Sequence, residues 1–285
     1  MDAAERVEVR HFNRRAARRW RTALMEVGGL ANPGAACAPI DWDAPWLDSL
    51  RGLRPLLQAD DWRFALSEEA SRRGVRSGEG RTVEFVAAAA AQMPYELFIA
   101  QTGQVPTRDN QHDLFNALIW LVYPRAKAAL NARQAAEIRR SGVRPVRGPV
   151  RDAATLIDES GLLLLSNDAQ VITALREHDW RRLLIDWRVR WGRDILALAF
   201  GHALLEKLSG PFKAITAAVV PLPLRSDADN SAARFIARPA LAPALLPHLP
   251  VLGIPGWCAA NADPHFYADP LVFRPRRDAT GMDAD

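Results

Sequence analysis

Residues 103–131, GQVPTRDNQHDLFNALIWLVYPRAKAALN, change from strongly polar to apolar within a few positions. Pro106 and the polar run after it form a helix-start signal, and the apolar periodicity that follows predicts a helix over about 111–122. Pro124 removes a backbone donor and clashes with the preceding turn, so a second helix is expected over about 125–140. We expect the rest of the chain to be organised around these two helices.

Polar side chains crowd the start of the first of these helices. His112 and Asn116 are four residues apart and share a helical face, and Asp113 lies one position around it. Such a group suits metal binding, general-base work or the orientation of a substrate. Asn110 and Asp113 also have the spacing of a capping box, and His112 can equally be a hydrogen-bonded structural histidine, so both interpretations stay open.

A second polar pair, His202 and Glu206, lies in a helix predicted from Asp194 to Leu208. This helix is apolar on most sides, which predicts that it is buried. Burying a histidine and a glutamate costs free energy unless they pair or bind a ligand. The glutamate charge would favour a protonated His202 poised for acid–base work, whereas the structural alternative is a buried pair that fixes helix register. Lys207 is expected to point outward or to pair with a carboxylate.

Residues 153–165 are predicted to form a β-hairpin, because two apolar runs flank the turn-forming sequence DESG. Within that turn, Asp158 and Glu159 are either functional carboxylates or ordinary turn residues. Arg151, just before the hairpin, can bind an anionic substrate or pack as a surface arginine, and so can Arg147.

The predicted fold class is α+β, predominantly helical, with a small antiparallel sheet that includes the hairpin and with a loop-rich C-terminal segment. Residues 1–27 are expected to form a basic amphipathic helix, residues 28–225 a helical core domain with the sheet, and residues 226–285 a proline-rich segment that wraps the same domain and ends in disorder. Further elements are predicted as helices near 46–58, 61–74, 168–178 and 229–237 and as a strand near 214–224.

Length and composition favour a soluble globular protein. The chain has 285 residues, with 49% hydrophobic and 25% charged residues, which is enough to bury a full core. No apolar run approaches the roughly 18 residues of a membrane helix, and the N-terminus lacks an apolar signal core. Only Cys37 and Cys258 are present, so a disulfide framework is not expected and a cytoplasmic location fits.

The positive charge of the chain is a weak sign of nucleic-acid binding. The formal net charge is +4, and only three of the 37 basic residues are lysines, which is typical of a GC-rich coding bias. The arginine-rich N-terminal helix either docks by an aromatic stripe or serves as a basic arm for an acidic partner. A nucleic-acid partner is therefore not expected, with weak binding through this helix as the remaining alternative.

Several familiar active-site signatures are absent from the sequence. It contains no GxGxxG after a strand, no Walker loop, no HExxH and no GxSxG. These absences argue against the enzyme classes that such motifs mark.

Four phrases occur in the same order as in a known family: VPTRDNQHDLFN (105–116), RGPVRDAATLIDESG (147–161), FGHALLEK (200–207) and LGIPGW (252–257), with residues 266–275 after them. Over about residues 42–275, the chain resembles a bacterial, mostly proteobacterial, family of domains of unknown function, DUF3025. The resemblance implies no particular activity, fold or ligand. It does give weight to the residues in the matching phrases, namely His112, Asp113, Asp158, Glu159, His202 and Glu206.

These observations lead to the hypothesis of a hydrolase-like enzyme with one buried cleft. His112 and Asp113 would converge there with His202 and Glu206, either to hold a divalent metal ion that activates water or, without metal, to let His202 act as general base. A small anionic substrate would be bound by residues around this cleft, taken from Arg108, Asn116, Arg151, Asp158, Glu159 and Lys207. The rival hypothesis is a non-enzymatic binding protein whose buried polar residues are structural. No membrane partner is expected.

Overall fold

Helices dominate the computed structural model, which describes residues 39–88, 93–142 and 148–276. Of these residues, 53% are helical and 14% lie in strands or bridges, so the predicted α+β, predominantly helical class is confirmed. The helix predicted over 1–27 and the predicted disorder at the end of the chain lie outside the described residues.

The α-helices of the described ranges are α1 (Trp62–Arg72), α2 (Tyr95–Thr102), α3 (Gln111–Val122), α4 (Pro124–Ser141), α5 (Pro149–Ser160), α6 (Ala169–Glu177), α7 (His202–Leu208) and α8 (Ala228–Ile236). One π-helical turn spans Arg181–Asp186. Short 3-10 helices cover Pro45–Leu47, Arg51–Gln58, Arg188–Arg190, Pro243–Leu245, Val251–Gly253, Ala259–Ala262 and Pro264–Ala268. None of these helices has the length and apolar character that a lipid bilayer span requires.

Two small sheets accompany the helices. The parallel pair β1 and β2 covers Glu84–Ala87 and Gln104–Thr107. The larger sheet has the order β4-β3-β5-β6, with strands β3 (Gly161–Leu165), β4 (Leu196–Ala199), β5 (Thr216–Leu222) and β6 (His248–Pro250). Because β3 pairs in parallel with β5 but antiparallel with β4, this sheet is mixed and the predicted antiparallel sheet is wrong in that detail.

The hairpin predicted near 153–165 is also wrong. Its first half is helix α5, which begins with Pro149 at its first turn and buries Ala153, Ala154 and Ile157 at helical spacing. The predicted turn is the last turn of that helix, since the amide of Gly161 donates to the carbonyl of Ile157. Strand β3 follows at once and is buried at every position, so it pairs inside the sheet instead of folding back on α5.

The single helix predicted over Asp194–Leu208 is instead strand β4 followed by helix α7. Gly201 separates them and lies against the end of α5: a Cβ built there would be 2.5 Å from the carbonyl oxygen of Glu159 and 2.5 Å from the amide nitrogen of Gly161. Its own amide donates to the carbonyl of Gly161 (2.8 Å). This close approach places His202, the first residue of α7, beside the last turn of α5.

The two central helices lie where they were predicted. Asn110 accepts a hydrogen bond from the backbone of Asp113 and caps α3, which buries Phe115, Ile119 and Trp120 among other residues. Pro124 occupies the first turn of α4, a position where its missing N–H is harmless, so it starts the next helix as well as ending α3. The inner face of α4 is unusual because it carries polar residues, namely Lys127, Asn131 and Gln134.

The other predicted elements have close counterparts. Predicted helices near 61–74, 168–178 and 229–237 correspond to α1, α6 and α8, and the strand near 214–224 corresponds to β5. The stretch 46–58 forms 3-10 helices because Pro55 falls inside it. The C-terminal segment buries apolar side chains against the core, among them Leu246, Leu252, Trp257, Tyr267 and Phe273.

Candidate metal centre

Two histidines from distant parts of the chain meet between α3 and α7. The Nε2 atoms of His112 and His202 are 3.0 Å apart. Their rings meet edge to face, with centroids 4.4 Å apart and an interplanar angle of 82°. The expected meeting of these two side chains is therefore confirmed, although the helix that carries His202 is shorter than predicted.

Each imidazole has a carboxylate near its other nitrogen, at hydrogen-bonding distance only in the case of His112. Nδ1 of His112 lies 2.8 Å from a carboxylate oxygen of Glu206. Nδ1 of His202 is buried, has no hydrogen bond to any described residue, and lies 3.8 Å from a carboxylate oxygen of Asp158. The sequence predicted that Glu206 would pair with His202 on the same helix. The pairing runs across to His112 instead, because Glu206 is exposed whereas His202 turns inward.

Glu159, at the end of α5, is the third residue of the cluster. Its carboxylate lies 3.5 Å from Nε2 of His202. Among the described residues, His112, Glu159 and His202 each offer a ligand atom, and these atoms all lie within 4.8 Å of one another. The side chains of His112 and Glu159 are 32% and 40% exposed, so the centre opens to solvent and is not the buried cleft that was expected.

Asp113 lies outside this cluster, contrary to the predicted metal-ligand set. Its carboxylate accepts hydrogen bonds from the backbone of Arg108 (2.7 Å) and from the guanidinium of Arg108 (2.8 and 3.1 Å). Burial pushes the pKa of Asp113 up, but these hydrogen bonds outweigh it and hold the pKa below its usual value. Asp113 and Arg108 are therefore hydrogen-bonding partners of each other at the helix start.

A buried polar layer supports the centre from inside. Lys127 forms an ion pair with Asp158 and donates to the side-chain oxygen of Asn116 (2.8 Å). The amide of Asn116 donates in turn to the hydroxyl of Tyr95 (3.1 Å). Although burial raises the pKa of Asp158, the charge of Lys127 brings it below its usual value, so Asp158 is an anion beneath His202.

The buried His202 is neutral at physiological pH. Burial is the main cause that lowers its pKa to about 4, and the nearby positive charges add to this effect while Asp158 opposes it. The protonated His202 expected from the sequence is therefore wrong. A neutral imidazole is the form that can bind a metal ion.

Glu96, on α2, is a half-buried carboxyl that the sequence did not single out. Its side chain accepts a hydrogen bond from Asn131 (2.8 Å). Burial and the charge of Asp158 raise its pKa to about 7, and Lys127 offsets part of that rise. Neither Glu96 nor Lys127 stands out locally in the sequence, because each becomes a buried charge only when α2, α4 and α5 pack together.

The remaining predicted site residues differ in their surroundings. Lys207 is exposed, next to Glu206, and makes no ion pair in the described part of the chain. Arg151 is half-buried on α5, and its Nε is fully buried with no hydrogen bond among the described residues. Arg147 lies outside the described residues.

The family comparison covers all of these residues. A family described as "Protein of unknown function (DUF3025)" matches residues 83–277. No curated protein and no solved structure matched the chain. Since the matched range contains both histidines and both α5 carboxylates and takes in more than half of the chain, the protein belongs to the DUF3025 family.

Proposed function

We propose that the protein is a hydrolase-like enzyme in which His112, His202 and Glu159 bind one divalent metal ion. The observation that carries this proposal is the orientation of the two imidazoles: their Nε2 atoms converge while each Nδ1 faces a carboxylate. Metal-binding histidines usually have a carboxylate or carbonyl on the nitrogen away from the ion, because it sets the tautomer and raises ligand basicity. Glu206 has this position at His112, whereas Asp158 lies 3.8 Å from Nδ1 of His202, close but beyond hydrogen-bonding distance.

The donor set suits zinc or a similar first-row ion. Two imidazole nitrogens and one carboxylate oxygen are the three protein ligands of a common catalytic arrangement, which leaves a position for water. An ion held there would lower the pKa of bound water and polarise a carbonyl or phosphoryl oxygen of a substrate. The partial exposure of His112 and Glu159 supports this role, since a substrate can approach from that side.

The neighbouring residues would act as positioning groups. Glu206 holds the ring of His112, and Asp158 faces the ring of His202. Lys127 balances the charge of Asp158, and Asn116 holds Lys127 in place. In this proposal Asn116 orients a lysine, which replaces the earlier expectation that it orients a substrate.

Metal binding is the first test of the proposal. Chelator-treated protein would be titrated calorimetrically with zinc, manganese and magnesium chlorides. We expect one ion per chain. His112→Ala and Glu159→Gln should lower the affinity by more than about 100-fold, because each removes a direct metal ligand and loss of a supporting outer residue alone costs roughly 10- to 100-fold. His265→Ala is the matched control, since the His265 side chain is 92% exposed. The absence of stoichiometric binding, or unchanged binding in both variants, would rule out this centre.

Hydrolysis is the second test and separates an enzyme from a structural metal protein. Metal-loaded protein would be assayed with chromogenic phosphate, carboxylate ester and amide substrates. We expect turnover of at least one class, and its loss in Glu159→Gln at an unchanged melting temperature. The non-enzymatic alternative predicts instead that His202→Ala lowers the melting temperature while no substrate is turned over.

A further inference from the structure

A cleft opens at one end of the four-stranded sheet. Its volume is about 380 Å³, and it lies outside the carboxyl ends of the parallel strands β3 and β5. Its lining begins at Ser166, the residue after β3, and continues at Leu224 and Arg225, which follow β5. Sheets with parallel strands commonly bind ligands outside the carboxyl ends of those strands. The position and size of the cleft therefore make it a candidate for binding a small molecule.

This cleft is separate from the candidate metal centre. Glu159 comes just before β3, whereas Ser166 follows it directly. The strand between them, Gly161–Leu165, is roughly 13 Å long at about 3.3 Å per residue. Within the described part of the chain, the lining of the cleft shares no residue with the metal cluster. A ligand in the cleft would thus be held by residues that the proposed metal centre does not use.

Hydrogen bonds fix the walls of the cleft. The amide of Ser166 donates to the carbonyl of Leu222 (3.0 Å), and the amide of Leu224 donates to the side-chain oxygen of Asn167 (3.0 Å). The amide of Asp168 donates to the hydroxyl of Ser166 (3.2 Å). The chain segments that leave β3 and β5 are therefore tied to each other. A cleft that is already formed needs little ordering when a ligand binds.

Two arginines in the lining supply positive charge, and they differ in their partners. Arg190 donates to the carboxylate of Asp168 (2.9 Å) and lies over the ring of Trp187, 4.8 Å from its centroid. This leaves most of its N–H donors unused within the described residues. Arg225 makes no hydrogen bond or ion pair in that part of the chain. Asp168 also accepts from the amide of Gln170 (2.9 Å), so the start of α6 is already capped and the free donors are those of the arginines.

Asp194 contributes the second carboxylate of the lining. One of its oxygens pairs with the guanidinium of Arg193 (3.2 Å), and the other makes no hydrogen bond to a described residue. A carboxylate oxygen accepts a hydrogen bond from a hydroxyl group but repels an anion. The cleft thus combines guanidinium donors for an oxyanion with an acceptor for a neutral hydroxyl.

We propose that this cleft binds a small molecule that carries an oxyanion, either phosphate or carboxylate, next to a hydroxyl group. Arg225 and the free donors of Arg190 bind the oxyanion, since a planar guanidinium matches both anions, and Asp194 accepts the hydroxyl. The unbalanced charge of Arg225 makes the site favour an anion, because Arg190 and Asp168 already offset each other. The proposal does not depend on the metal centre.

Calorimetric titration of the full-length protein tests this site at constant ionic strength. Two matched pairs of probes distinguish the anion classes: glycerol 3-phosphate with inorganic phosphate, and glycerate with acetate. We expect one molecule of glycerol 3-phosphate or glycerate to bind per chain, more tightly than its hydroxyl-free partner. Glycerol alone should not bind, because it lacks the charge. Arg225→Gln should weaken the preferred probe by roughly tenfold, since hydrogen bonds to a charged group are lost.

Two further variants separate the roles of the residues from folding. Asp194→Ala should reduce the preference for the hydroxyl-bearing probe over its partner. The backbone of Arg225 has a φ of 62°, which glycine adopts without strain. Arg225→Gly should therefore weaken binding as Arg225→Gln does, at a melting temperature no lower than that of the wild type. The matched control is Arg176→Gln, which changes an exposed arginine of α6 outside the lining.

Several outcomes would overturn the proposal. It is refuted if neither glycerol 3-phosphate nor glycerate binds the wild type, or if both Arg225 variants bind as the wild type does. An equal loss in the Arg176 variant would also refute it, because binding would then be a diffuse charge effect. An unchanged probe preference in Asp194→Ala would remove the hydroxyl from the proposed ligand. Zinc affinity should be the same in all these variants, and a loss there would contradict the separation of the two sites.

Discussion

His112 and His202 carry the same ring in two different environments. The side chain of His202 is 6% exposed, and burial lowers its pKa to about 4. The side chain of His112 is 32% exposed and is hydrogen-bonded to Glu206 at the surface. His202 is thus the fixed, neutral member of the pair, and the orientation of His112 depends on one carboxylate that solvent can reach.

That dependence gives a prediction for Glu206→Gln, which keeps the size of the side chain but removes its charge. We expect the zinc affinity to fall by roughly 10- to 100-fold, as is usual when the carboxylate behind a metal-binding histidine is lost. Thermal stability should hardly change, because this hydrogen bond lies at the surface. Calorimetric zinc titration checks this, with the exposed Glu177→Gln as control. Equal affinity in the Glu206 variant and the control would show that this carboxylate has no such role.

Single residues differ in how far the sequence could predict their place. The meeting of His112 and His202 was a hypothesis based on two polar pairs next to apolar stretches, and the packing of α3 on α7 decides it. Glu159 was not predicted as a ligand, because the sequence DESG has the same residue types in a hairpin turn as in a last helical turn. Glu96 could not be found, since its burial depends on three helices packing around it.

At the scale of elements, α5, β3 and α7 are joined by a close backbone contact at Gly201. The amide of Gly201 donates to the carbonyl of Gly161 (2.8 Å), and no room remains for a Cβ between Gly201 and Glu159. The contact places the first residue of α7 next to the last turn of α5. It therefore sets the separation of His202 and Glu159.

Gly201→Ala should disturb this junction. A Cβ only 2.5 Å from backbone atoms forces α5 and α7 apart, and we expect a loss of about 1–3 kcal/mol in the free energy of unfolding. Zinc affinity should fall as well, because His202 moves away from Glu159. The control is Gly210→Ala, where nothing lies within 4 Å of the added Cβ. Chemical denaturation and zinc titration of both variants check the prediction, which fails if the two behave alike.

Helices and strands were predictable where local sequence signals determine them, and were not predictable where pairing with a distant strand determines them. Asn110 and Pro124 mark helix starts in the sequence, and the structure has helices after both. The run over 194–208 is mostly apolar, and periodicity alone does not distinguish a buried strand from a buried helix. Residues 196–199 are a strand because β3 offers them a partner, which only the tertiary structure provides.

At the scale of the whole molecule, buried charges form a layer shared by α2, α4 and α5. Glu96, Lys127 and Asp158 contribute one side chain from each of these helices; Lys127 and Asp158 are buried, and Glu96 is half-buried. Lys127 and Asp158 are both charged and offset each other. Glu96 is the member whose charge state changes near neutral pH, since burial raises its pKa to about 7.

This layer makes the stability of the protein depend on pH. Between pH 4.5 and about 7, the unfolded chain releases the Glu96 proton while the folded chain keeps it. The protonated carboxyl therefore makes its full contribution to the free energy of unfolding at low pH. That contribution is lost as the pH rises through this window. In Glu96→Gln, we expect the free energy of unfolding to fall by about 1–3 kcal/mol less over this pH range than it does in the wild type. Urea unfolding of the wild type, this variant and the exposed Glu68→Gln at pH 5, 6, 7 and 8 checks it. Parallel profiles for wild type and Glu96→Gln would contradict it.

Helix α5 passes into strand β3 at a single residue, Gly161, with no loop between them. A loop would let the helix end rotate or shift on its own, but here the strand is already paired on both sides. One residue inserted at this junction would turn the Glu159 side chain through about 100° relative to the sheet and carry its carboxylate away from both imidazoles. The position of the Glu159 carboxylate is thus set by strand pairing. No loop lies between α5 and β3 that could compensate for a change in chain length at this point.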